Sequence, residues 1–109
     1  MEGLLRASEE ERVHASVNEI NLGEVYYLTM RRLGTVSARR FLEQFSILAV
    51  ERVAASREII EPAAEFEARH ALSYADCFAA ATALRHGASV LTGDPEFKKV
   101  ERLIEIEWI

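Results

Sequence analysis

The stretch Ser73-Tyr74-Ala75-Asp76-Cys77-Phe78-Ala79-Ala80-Ala81-Thr82-Ala83-Leu84-Arg85-His86-Gly87-Ala88-Ser89-Val90-Leu91-Thr92-Gly93-Asp94-Pro95 carries a helix, its stop, a strand and the start of another helical turn. Ser73 with Asp76 three residues later has the form of a capping box, and Gly87 closes the helix after Arg85. Ser89 to Thr92 then reads as a short β-branched strand, with Asp94 before Pro95 as an N-cap followed by proline at the first helical position. Short strands alternating with longer helical patterns define an α/β domain.

The same alternation extends towards both ends. Val13 to Val17 reads as a strand, and Asn21 opens a helix to about Leu33 in which Leu22, Val25, Tyr26, Met30 and Leu33 recur at helical spacing. Gly34 stops it. Ser37 to Phe45 forms a second helix with Phe41, Leu42 and Phe45 inward and Arg39, Arg40 and Glu43 outward, and Ile47 to Val50 reads as a buried strand. From about Ala54 to His70 the pattern is helical on both sides of Pro62, which lacks an amide proton and predicts two helices. Leu103 to Ile109 alternates as an edge strand, and Glu2 to Arg12 reads as a charged, exposed helix.

A chain of 109 residues suits one domain, 1–109, since a second core would be starved at this length. Half of it is apolar, with five Gly and two Pro, so it can bury a core and is not disordered. One cysteine, Cys77, excludes an internal disulfide framework and a Cys-based zinc site, and fits a reducing cytoplasm. No apolar run approaches the roughly 18 residues of a membrane span, and the opening Met1 to Arg6 does not read as a signal peptide. A net charge of −5 argues against charge-driven binding of nucleic acid by the bare protein.

Three acids attract chemical interest: Glu24, Asp76 and Asp94. Each also has a capping explanation, Glu24 through Asn21-x-x-Glu24. Asp76 strains that explanation, because between Ala71 and Leu84 it is the only charge on a helix that is apolar all round. An ionised carboxylate in such surroundings needs a hydrogen-bonded partner, an arginine or a metal. Asp94 follows a strand and Gly93, at the edge where open parallel sheets collect ligands, and Glu24 likewise stands after a strand. Hard carboxylate oxygens without paired histidines suit Mg²⁺, or Mn²⁺ in its place. His14, His70 and His86 stand alone and read as surface or satisfied residues, and Cys77 as core packing. Mg²⁺ held by carboxylates serves phosphoryl chemistry and cancels part of the local negative field, which predicts hydrolysis of a nucleic acid. Arg31 and Arg32, Arg39 and Arg40, or Lys98, Lys99 and Arg102 could face the flanking phosphates.

The stretches Val17 to Tyr27, Ser73 to Ala81 and Leu91 to Phe97, in their order and spacing, resemble the PIN domains, metal-dependent ribonucleases that include the toxins of many toxin–antitoxin pairs. The resemblance implies a three-layer α/β/α fold with a mainly parallel sheet. It makes Glu24, Asp76 and Asp94 metal ligands and Thr92 a supporting hydroxyl, with RNA as substrate, a homodimer as the assembly and an antitoxin as a possible partner. The family's first strand carries an aspartate that has no counterpart before Glu24, so against the family the chain looks shortened at its amino end. Another segment or a second chain would then fill that strand's place. A catalytically silent, oligomerising binding protein that keeps the fold is the competing expectation.

Overall fold

The computed structural model describes residues 15–109. The helix expected over Glu2 to Arg12, the opening of the first strand at Val13, and His14 lie outside the described residues. The chain divides into two compact units, the first ending at Val53 and the second running Ala54–Ile109.

In the first unit, strand β1 (Ala15–Asn18) runs directly into helix α1 (Glu19–Leu33), followed by helix α2 (Thr35–Ser46) and strand β2 (Val50–Val53). The two strands pair in parallel with Ala15 opposite Val50 and Asn18 opposite Val53. Asn18, with extended backbone, ends the strand and caps the helix, its side chain accepting from the Ile20 amide at 2.9 Å. The helix therefore starts before Asn21, which lies inside it. Gly34 serves both helices at a φ of 90°, where a side chain would be strained: its amide donates to the Met30 carbonyl and its own carbonyl accepts from Ala38.

The second strand is displaced from its expected place. Ile47 to Ala49 form the turn after α2, with Ile47 82 % exposed, and the pairing falls instead on Val50-Glu51-Arg52-Val53. An apolar run marked the neighbourhood, but pairing with β1 sets the register. Arg52 then reaches the start of α1 and grips Glu19 with both ends of its guanidinium, Nε donating to Oε1 at 2.5 Å and Nη2 to Oε2 at 2.9 Å. The arginine's hydrogen bond holds the Glu19 carboxyl below the usual carboxylate range. Along α1 Leu22 is buried, but Val25 and Leu33 are exposed, so its apolar stripe is only partly covered. On α2, Ala38 is buried while Phe41 and Phe45 are half-buried and stack at 5.9 Å.

In the second unit, helix α3 (Arg57–Arg69) passes through Pro62 without breaking, contrary to the two helices expected. Proline removes one amide proton, but Ile59 and Ala63 stay on one buried side, and packing against helix α4 (Tyr74–His86) offsets the lost bond. Helix α4 begins where the capping signal placed it: Ser73 Oγ accepts from the Asp76 amide at 3.1 Å. It ends on Gly87 in the left-handed region, with Gly87 N donating to Leu84 O and Ala88 N to Ala83 O, the paired bonds of a Schellman motif. Cys77, Phe78, Ala80, Ala81, Thr82 and Ala83 are all buried. Strand β3 (Val90–Thr92) pairs in parallel with strand β4 (Ile106–Trp108), and a 3₁₀ helix, Pro95–Val100, lies between them in the chain. Phe97, Val100 and Ile104 complete this core, whereas Leu103 is exposed.

Candidate metal centre

Thr92 and Asp94 stand at the carboxyl end of β3. The Thr92 hydroxyl oxygen accepts from the Asp94 amide at 3.0 Å, and Asp94 Oδ1 accepts from the Glu96 amide at 2.9 Å. Asp94 is thus the N-cap of the 3₁₀ helix with Pro95 behind it, as the sequence indicates. A carboxylate has two oxygens and about four lone-pair positions, so capping with one leaves capacity for a cation. The Ile109 amide donates to the Thr92 carbonyl, which holds the strand end beside the final residue.

Asp76 lies in the first turn of α4, half-buried, where the helix dipole favours a negative charge. Its amide is fixed by Ser73, so the capping interaction expected here is present on the hydroxyl side. Lys99 connects the two acidic segments: its ammonium donates to the carbonyl of Ala71, just ahead of Ser73, at 2.9 Å, and to Glu96 Oε2 at 2.5 Å.

Glu24 belongs to the first unit. It is half-buried within α1, a turn and a half past the first helical residue, because Asn18 starts the helix three residues ahead of the expected cap. The capping explanation for Glu24 is thereby removed. The N-cap that sequence reasoning passed over, Asn18, carried a readable signal in Asn18-Glu19, a capping residue followed by a first-turn acid. The contributions of Arg52 and Lys99 had no such signal, since each depends on a partner distant in sequence.

Cys77 is fully buried and its thiol points to Glu67 Oε2 at 3.4 Å. Desolvation first, then the nearby Glu67 carboxylate, pushes the thiol pKa up to about 12, which suits packing and not nucleophilic attack. His70 stacks on Phe66 at 5.2 Å, in keeping with a satisfied histidine. Arg31 lies over the Tyr27 ring at 5.1 Å. A shallow apolar hollow lined by Phe66, Arg69, His70, Leu84 and Leu103 contains none of the three acids.

Within either unit, the described residues contain no group of three His, Cys, Asp or Glu side chains arranged to hold a metal ion. The donors of the second unit nonetheless suit Mg²⁺ chemically: two carboxylates and a hydroxyl, for an ion that commonly takes one or two carboxylates and fills its remaining positions with water and phosphate. Asp94 and Thr92 meet at the end of a strand and Asp76 at the start of a helix, the edges at which α/β folds bind ligands.

A family model described as PIN domain matches residues 2–103. The chain belongs to the PIN-domain family. PIN domains are generally nucleases. Among solved structures, the chain is similar to one described as the crystal structure of VapBC2 from Rickettsia felis bound to a DNA fragment from their promoter. That likeness has a TM-score of 0.73 at 18 % identity, and covers 97 % of this chain and 81 % of the other. It establishes the α/β PIN-like fold that the sequence indicates. No curated protein sequence matches the chain. No helix among the described residues is long and apolar enough to cross a membrane.

Proposed function

We propose that residues 1–109 form one PIN-like domain acting as a Mg²⁺-dependent endoribonuclease of toxin type, with Glu24, Asp76 and Asp94 as metal ligands and Thr92 as the hydroxyl that supports Asp94. The observation that carries this reading is the placement of Asp76 at the amino end of α4 and Asp94 at the carboxyl end of β3 in a PIN-family chain. A divalent cation bound there supplies an activated water and neutralises charge on the scissile phosphate. The protein's own part is to hold the ligands. Ser73 fixes the backbone at Asp76, and Thr92 and the Glu96 amide fix Asp94, so the Asp94 carboxylate and the backbone that carries Asp76 are set before substrate arrives.

RNA is the substrate of this proposal, the protein works in the cytoplasm as a homodimer, and Mn²⁺ substitutes for Mg²⁺. An antitoxin is its regulating partner, a reading supported by the similarity to VapBC2. Incubating the protein with structured RNA in Mg²⁺ tests the activity: cleavage abolished by chelation and by Asp76→Asn is the expected result. Intact RNA with every divalent cation would favour the silent binding protein instead.

A further inference from the structure

We propose that Lys99 is a positioning residue that fixes the segment bearing Asp76 against the segment bearing Asp94. The inference rests on the reading that these two acids share one metal. Its basis is a continuous set of contacts within the second unit. Asp94 Oδ1 accepts from the Glu96 amide at 2.9 Å, Glu96 Oε2 accepts from Lys99 Nζ at 2.5 Å, and the same ammonium donates to Ala71 O at 2.9 Å. Ala71 leads through buried Leu72 into Ser73, whose hydroxyl accepts from the Asp76 amide at 3.1 Å.

The bonds among Asp94, Glu96 and Lys99 are local to the 3₁₀ helix and its cap, and that of Ser73 to the start of α4, so the bond from Lys99 to the Ala71 carbonyl is the one of this set that crosses from one acidic segment to the other. The ammonium is suited to this, having three donors and no acceptor, so it can hold a carboxylate and a carbonyl together. Because Lys99 and Glu96 are about half exposed, at 46 % and 49 %, their attraction adds little to global stability. The effect of the strap is therefore geometric. It holds the first turn of α4 at a set distance from the end of β3, the task that groups surrounding metal ligands perform for affinity.

Amide hydrogen exchange on the metal-free protein and Mn²⁺ calorimetry, applied to Lys99→Met, Lys99→Arg and Glu96→Gln, test the assignment. Lys99→Met is expected to retain its melting temperature, to speed exchange at Asp76 and Cys77 as well as at Glu96, and to weaken Mn²⁺ about tenfold. Lys99→Arg, which keeps the donors, is expected to restore both readouts. Should Lys99→Met fold poorly, Glu96→Gln tests the strap by itself through the same loosening at Asp76. Unchanged exchange at Asp76 in both variants overturns the proposal. Mn²⁺ affinity that Asp76→Asn abolishes but Lys99→Met leaves intact also overturns it while preserving the metal site. Mn²⁺ binding indifferent to both Asp76→Asn and Asp94→Asn overturns the shared site.

Discussion

The two units reach similar parallel strand pairs by different means. Among the described residues, the second unit encloses Ile59, Ala63, Leu72, Cys77, Phe78, Ala80, Ala81, Val90, Phe97, Val100 and Ile104, whereas the first buries Leu22 and Ala38 and relies on polar connections at its strand ends. In the second unit, alanines let α3 and α4 approach, and the acids stand at the margins of a dense core. In the first unit, Asn18 caps α1 and Arg52 ties β2 to Glu19. The contrast separates two ways of holding a carboxylate in place. Asp76 is held through its backbone amide by Ser73, and Asp94 through its amide by Thr92 and its carboxylate by the Glu96 amide, both on a packed base, whereas Glu24 takes its position from the helix itself.

The sharpest test of that contrast removes packing. Phe78, 3 % exposed and edge-on to Tyr74 at 5.0 Å, is expected to cost about 3–5 kcal/mol when changed to alanine. Half-buried Phe41 should cost distinctly less, and denaturant midpoints measure both. An equal loss at the two positions would break the distinction between the units.

Capping gives the next largest effect. Ser73→Ala and Asn18→Ala should each destabilise by about 1 kcal/mol, since each oxygen satisfies an orphan amide at a helix start. Thermal melts check both values. Only Ser73→Ala should also disturb Mn²⁺ binding strongly, because its hydroxyl orders Asp76 itself.

The units also differ in their response to pH. The Cys77 thiol has its folded pKa raised from 9.0 to about 12, so its contribution to stability is complete below pH 9 and is lost as pH rises towards 12. Cys77→Ala should flatten that alkaline decline in urea melts. Glu19 behaves oppositely: its pKa is lowered, so its contribution is present above the ordinary glutamate pKa and is lost as pH falls through the lowered value. This is the smallest effect, given how exposed the pair is. Arg52→Ala should remove the corresponding part of the acid dependence, and persistence of the full dependence would show that other groups set it.

Local signals read directly from the sequence identify Ser73 and Gly87 at the ends of α4, Gly34 between α1 and α2, and Asp94-Pro95 before the 3₁₀ helix. Each is a capping or turn preference enforced by neighbouring residues. What the sequence conceals is non-local. β2 sits on Val50 to Val53 because pairing with Ala15 to Asn18 selects it, although Ile47 to Val50 is more apolar. Pro62 stays inside α3 because tertiary packing outweighs one missing hydrogen bond. Asn21-x-x-Glu24 imitates a capping box, but Asn18 already occupies the cap where β1 ends. For the candidate site, the acids and Thr92 are legible as residue types in a pattern, while Lys99 emerges only once Ala71 is brought beside it.

The central proposal is that Glu24, Asp76 and Asp94 hold one divalent ion. A crystal of the protein soaked in Mn²⁺ and measured at the manganese absorption edge tests it most directly. The account predicts a single anomalous peak per chain bounded by oxygens of all three carboxylates; absence of a peak there, or manganese bound only elsewhere on the surface, would contradict it.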